Sequence, residues 1–193
     1  MKVWQGPMTE KLKKVGVKEK YLKKLSIPQA PYKEIFKEVL PFLKYSSLKH
    51  DLAPSWKNLT LIEGQRPTDI GMNCKNFMRW MVANIDWMPE HVFIHSLMPK
   101  SIIPWHKDTD NPNEFSRGIM LPIIIPKLSF IEFEDGSKDT YEMGYCYNTR
   151  FGVRHRVING SEQIRVMCMI TPPPFVTFYK NYNRKNELNT MWG

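Results

Sequence analysis

The chain has 193 residues, 42% hydrophobic and 24% charged, with a formal charge of +9 at neutral pH. This length suits one domain with one sizeable core, and no apolar run approaches the roughly 20 residues that span a bilayer, which excludes a membrane-spanning helix. Three scattered cysteines without a CxxC pair, Cys74, Cys146 and Cys168, exclude a zinc ribbon or disulfide framework and read as reduced, buried thiols.

The segment from Met1 to Lys20 is polar and Lys-rich with no apolar leader core, so a cytoplasmic protein is expected. Met8 to Leu25 carries Leu12, Val15, Val17, Leu22 and Leu25 among lysines and reads as a basic, solvated helix. Pro28 and Pro31 separate it from a second helix, Tyr32 to Leu48, whose apolar residues have near-helical spacing interrupted by Pro41. Asp51 to Met72 reads as irregular because Pro54, Gly64, Pro67 and Gly71 break it. Asn73 to Ile85 is a third helix, with Phe77, Met78, Trp80, Met81 and Ile85 on one stripe. Trp4, Trp56, Trp80 and Trp87 read as core or helix-packing residues.

The second half changes period. His91 to Met98, Gly118 to Ile125, Leu128 to Glu134, Tyr141 to Tyr147, Arg154 to Ile158 and Gln163 to Ile170 read as short strands. Asp135-Gly136 and Asn159-Gly160 punctuate them as hairpin turns. The expected fold is α+β: helical support over residues 1–90, a β-barrel over 91–175 and a polar tail over 176–193, all in one domain.

Within this frame, Trp105-His106-Lys107-Asp108 contains a His-x-Asp triplet at a strand end. Residues i and i+2 of an extended chain point to one side, so one imidazole and one carboxylate can reach a single metal. His155 is the downstream histidine available as a third donor. Two histidines and one carboxylate on one face of an octahedron leave three positions open, the arrangement of non-haem Fe(II) oxygenases. Arg165 follows His155 by ten residues, and a three-residue Asn159-Gly160-Ser161 loop would set the two opposite each other on one ladder face. Its guanidinium could then grip a carboxylate in bidentate fashion. A His-x-Asp triplet is common by chance, so the weight lies on the joint pattern with His155 and Arg165.

At these residues the chain resembles the 2-oxoglutarate/Fe(II) dioxygenase superfamily, and within it the aspartyl/asparaginyl β-hydroxylase-like group. The resemblance runs from about His91 to Ile170, through Phe93-Ile94-His95-Ser96-Leu97-Met98-Pro99, His106, Leu121-Pro122-Ile123-Ile124-Ile125-Pro126, Gly144, His155 and Arg165. It implies a double-stranded β-helix (jelly-roll) barrel and a hydroxylase using Fe(II), 2-oxoglutarate and O2 on a peptide or amino-acid side chain. His106, Asp108 and His155 would hold the metal. Arg165, His95 and Arg117 would contact the cosubstrate. Two departures stand out. Well-known animal members of the group lack the metal carboxylate that Asp108 supplies here. Gly118 and Met120 occupy places where the group uses an Arg and a His.

Trp105, Tyr145, Tyr147 and Phe151 flank these motifs and read as strand packing that could also shape a substrate groove. Two readings compete. The +9 charge would suit a nucleic-acid demethylase of the same superfamily, against which Asp108, Asp110 and Glu114 make the surroundings of the metal motif acidic. A cupin-like binding module or isomerase would use the barrel without 2-oxoglutarate.

Overall fold

The computed structural model describes residues 21–48, 53–110 and 118–173. The N-terminal basic run up to Lys20, Trp4, Arg117 and the polar tail lie outside them. Among the described residues, twelve strands and three short α-helices follow in this order: β1 Leu22–Lys24, α1 Tyr32–Val39, β2 Ser47–Leu48, β3 Trp56–Glu63, β4 Arg66–Pro67, α2 Asp69–Asn73, α3 Lys75–Asn84, β5 His91–Leu97, β6 Ser101–His106, β7 Ile119–Ile124, β8 Ser129–Phe133, β9 Lys138–Asp139, β10 Tyr147–Thr149, β11 His155–Asn159 and β12 Arg165–Thr171.

The strands form two facing antiparallel sheets. The larger runs β1-β10-β7-β12-β5-β3-β2, with β4 on β3, and the smaller runs β6-β11-β8-β9. From β5 to β12 the chain passes from one sheet to the other at each step except the β8–β9 hairpin, and this is the double-stranded β-helix. The large sheet has two different faces because side chains alternate along each strand. Its outer face carries Leu59, Val92, Ile94, Leu121, Cys168 and Ile170, fully or nearly fully buried against α1 and α3. Its inner face carries Leu97, Met120, Tyr147 and Met167, which meet Ile103, Ile131, Phe133 and Val157 of the small sheet in a second core.

The helices hold where local chemistry supports them. α1 buries Ile35 and Val39. It gives way to a 3-10 turn, Leu40–Tyr45, at Pro41, whose ring and missing N–H stop an α-helix. The helix expected through Leu48 therefore ends at Val39. α3 takes its N-terminal cap from another element: Glu38 accepts from the backbone N–H of Asn76 and Phe77, placing a carboxylate on the positive end of the helix. Part of the expected first helix is strand β1, because Leu22 to Lys24 pair with Thr149 to Tyr147 and cover the open edge of β10. The stretch expected to be irregular contains β3 and α2. Gly71 allows α2 to approach that strand, since a Cβ there would lie 2.0 Å from the Leu61 carbonyl.

Two strand expectations also shift. Tyr141 to Cys146 precede β10 without joining it, and Gly144 turns there with φ +81°. Asp135-Gly136 does make a hairpin, β8 to β9. Asn159-Gly160 does not. β11 and β12 belong to different sheets, and residues 160–164 carry the chain between them. Asn159 drives this crossing: its Nδ2 donates to the carbonyls of Leu97, Met98 and Gln163, and its Oδ1 accepts from Ser161.

Candidate metal centre and anion pocket

β6 and β11 lie side by side, with His106 directly opposite His155. Directly opposed residues share a sheet face, so the two imidazoles project together into the interior. Their ring centres are 4.4 Å apart. Each Nδ1 bonds the carbonyl two residues earlier, Pro104 for His106 at 2.7 Å and Val153 for His155 at 2.8 Å. A carbonyl accepts only from a protonated nitrogen, so both rings present Nε2 lone pairs inward. Asp108 completes the set, with Oδ1 3.4 Å from His106 Nε2. One donor atom from each of the three residues lies within 4.8 Å of the others, and no other such cluster of three occurs among the described residues. That spacing and donor chemistry fit a divalent first-row ion bonded at about 2.1 Å.

Aromatic rings wall this cluster. Phe151 stacks on His155 at 5.1 Å, Phe133 lies 6.2 Å from it, and Tyr21 stacks on Phe133 at 4.1 Å. Burial pulls the His155 pKa below 6.5; its bond to the Val153 carbonyl opposes the shift, His106 adds to it and Asp108 opposes it. His155 is therefore kept in the neutral form that binds metal.

Arg165 stands across the interior on the inner face of the large sheet, opposite Leu97 on β5, which is in turn opposite Trp56 on β3. The expected ladder pairing of His155 with Arg165 does not occur, because their strands sit in facing sheets. The guanidinium is buried, and burial lowers its pKa to about 10 while the Tyr141 hydroxyl works against that shift. It lies 5.9 Å from the Tyr141 ring and has no carboxylate partner among the described residues. Tyr141 bonds Thr149 through its hydroxyl and packs edge-on against Tyr147. Tyr141 was read from the sequence only as the start of a strand, and the pocket it forms with Arg165 depends on a long-range contact.

His95 is buried on the same inner face, 5.8 Å from the Trp56 ring. Trp56, read as a packing residue, lies 6.1 Å from His106 and so borders the cluster. Trp105 faces the other way. Its ring lies beneath Arg154 and Arg156 on the outer side of the small sheet, which removes it from any interior groove. Met120 is buried inside beside Tyr147, and Gly118 packs under the Ile170 carbonyl, so neither replaces the missing polar pair. All three cysteines are free and buried, and burial raises Cys74 and Cys146 to about 12.

The family described as Aspartyl/Asparaginyl beta-hydroxylase matches residues 29–172. A search of the curated proteins finds no match. Among solved structures, the chain is similar to a prolyl hydroxylase from Trichoplax adhaerens in complex with a hypoxia inducible factor oxygen degradation domain peptide fragment. The TM-score is 0.53 at 8% identity, over 88% of this chain and 94% of that one. It is also similar to AviO1 from Streptomyces viridochromogenes Tue57, with a TM-score of 0.52 at 11% identity, over 81% of this chain and 91% of that one.

Proposed function

We propose that this chain, which belongs to the aspartyl/asparaginyl β-hydroxylase family, is an Fe(II)- and 2-oxoglutarate-dependent dioxygenase that hydroxylates a C–H bond of a peptide or amino-acid side chain. The observation that carries the reading is a buried guanidinium, with no carboxylate partner among the described residues, across one interior from a two-histidine, one-aspartate donor set. A buried cation without a partner is unfavourable unless a ligand anion completes it. A short dicarboxylate with one end at a metal and the other at Arg165 meets both needs.

His106 Nε2, His155 Nε2 and the Asp108 carboxylate would hold Fe(II). When bound, the iron supplies the activation of O2 by which 2-oxoglutarate becomes succinate and CO2 and a second oxygen atom enters the substrate C–H bond. Arg165 neutralises the distal carboxylate of 2-oxoglutarate and fixes its depth. The Tyr141 ring packs against that guanidinium and restricts its rotamers. Pro104 and Val153 hold the two imidazoles in the binding tautomer through their carbonyls. Phe133 and Phe151 exclude water from the side of His155. His95 and Arg117 are further proposed cosubstrate contacts. The peptide class of substrate is favoured over nucleic acid because Asp110, two residues past the donor Asp108, adds negative charge beside the set that would repel phosphates.

The test is iron content after anaerobic reconstitution. His106→Ala, Asp108→Ala and His155→Ala each lose retained iron, whereas the parent chain holds one equivalent. Unchanged stoichiometry in any of the three removes that residue from the set.

A further inference from the structure

The large sheet extends past the small one. Among the described residues, β3 and β2 extend the large sheet beyond the four strands of the small one, and the inner face of β3 is a shelf that borders the donor cluster through Trp56. Trp56, Asn58 and Thr60 alternate onto that face, opposite Leu97, His95 and Phe93 of β5. Rings run in file along it: Phe93 to His95 at 6.1 Å, His95 to Trp56 at 5.8 Å and Trp56 to His106 at 6.1 Å. At the outer margin opens a cavity of about 350 Å³ lined by Tyr45, Ser47, Asn58, Thr60, Thr68 and Asp69 together with the apolar Leu59 and Ile70. Asn58 Oδ1 is buried and meets no hydrogen-bond donor among the described residues. An unpaired buried carbonyl is unfavourable, so this atom calls for a donor from outside.

We propose that this cavity takes a primary carboxamide side chain of the substrate, at a position about four residues from the one that is oxidised; this rests on the oxygenase reading above. The lining selects by chemistry. Asp69 opposes a carboxylate. A cation offers donors only, so it cannot accept from the Asn58 amide, and it meets a chain charge of +9. A purely apolar side chain leaves Asn58 Oδ1 unsatisfied. A carboxamide is both donor and acceptor, and pairs reciprocally with the Asn58 amide at no cost in charge. An extended chain advances about 3.3 Å per residue, so a substrate anchored at Asn58 and laid past Trp56 reaches the donor cluster about four residues away. Ring faces along the shelf suit the neutral backbone of such a segment, and the shelf residues Trp56, Asn58, Thr60, Phe93 and His95 include no lysine or arginine to hold phosphates.

The test uses the full, metal-free chain and four probes: the N-acetyl methylamides of glutamine, lysine, glutamate and norleucine. Side-chain amide resonances of Asn58 and the indole resonance of Trp56 are followed through each titration. The glutamine probe shifts both saturably, at least about tenfold more tightly than the other three, and Asn58→Leu abolishes the effect. Asn58→Asp, which preserves the shape of the site, transfers the preference to the lysine probe. Absence of saturation with glutamine, an equal response to norleucine, or unaltered binding in both variants overturns the proposal. These titrations need no iron, so failure of the oxygenase reading shows separately, as a parent chain that retains no metal.

Discussion

A guanidinium that is only 7% accessible, with an aromatic ring as its neighbour, opposes folding, because desolvating a cation costs more than a ring contact returns. Arg165→Met keeps most of the volume and removes the charge. It should raise the melting temperature of the ligand-free protein while weakening 2-oxoglutarate binding by about a hundredfold or more. Thermal scans and cosubstrate titration on the same preparation check both halves, and a variant that is less stable yet binds normally contradicts the assignment. His155 gives a pH dependence of known sign. Its folded pKa lies below 6.5, so between the two values the unfolded chain binds more protons. Stability of the metal-free protein is therefore full above pH 6.5 and declines as pH falls toward the folded value. Melting temperature against pH should show this slope, and His155→Gln should flatten it. The donor residues were legible because His-x-Asp and His155 carry their chemistry in their residue types. Tyr141 and Trp56 were not, since an aromatic residue on a strand announces packing and nothing in its neighbours fixes what it packs on.

At the level of elements, the crossing from β11 to β12 decides the geometry of the pocket, and Asn159 decides the crossing. Its amide satisfies carbonyls from the end of β5 and from the loop before β12. Asn159→Leu would leave these buried carbonyls unpaired and should lower unfolding free energy by about 2–4 kcal/mol, read from denaturant midpoints at constant slope. A change below about 0.5 kcal/mol would mean that the loop holds itself. Most strand runs of the second half were readable from their alternation and turn residues, with ends displaced by one or two positions; Tyr141 to Tyr147 was not, since only Tyr147 of it lies in β10. The destination of each strand was not readable. Asn159-Gly160 has the composition of a tight hairpin, and only contacts to Leu97 and Met98, sixty residues earlier in the chain, turn it into a crossing between sheets. β3 escaped notice for a related reason. Leu59, Leu61 and Ile62 break strict alternation because the pairing with β5 shifts register between Thr60 and Ile62.

At the scale of the molecule, the core between the large sheet and the helices holds all three thiols away from solvent, and Cys168 is raised well above 9.0 by burial, with Cys146 and Cys74 adding to the shift. None of the three should react with a thiol reagent in the folded protein at neutral pH, and all three should react together on unfolding. Fast modification of one alone would show that its sheet opens locally.

The division of the pocket between two sheets has a mechanical consequence. Metal donors ride on β6 and β11, while the cation rides on β12, and no hydrogen-bonded ladder joins these carriers. A ligand that bonds to both is thus a cross-brace between two sheets that share no ladder of their own. Adding metal and 2-oxoglutarate together should slow amide exchange in β11 and β12 alike, and either ligand alone should protect mainly the half that it touches.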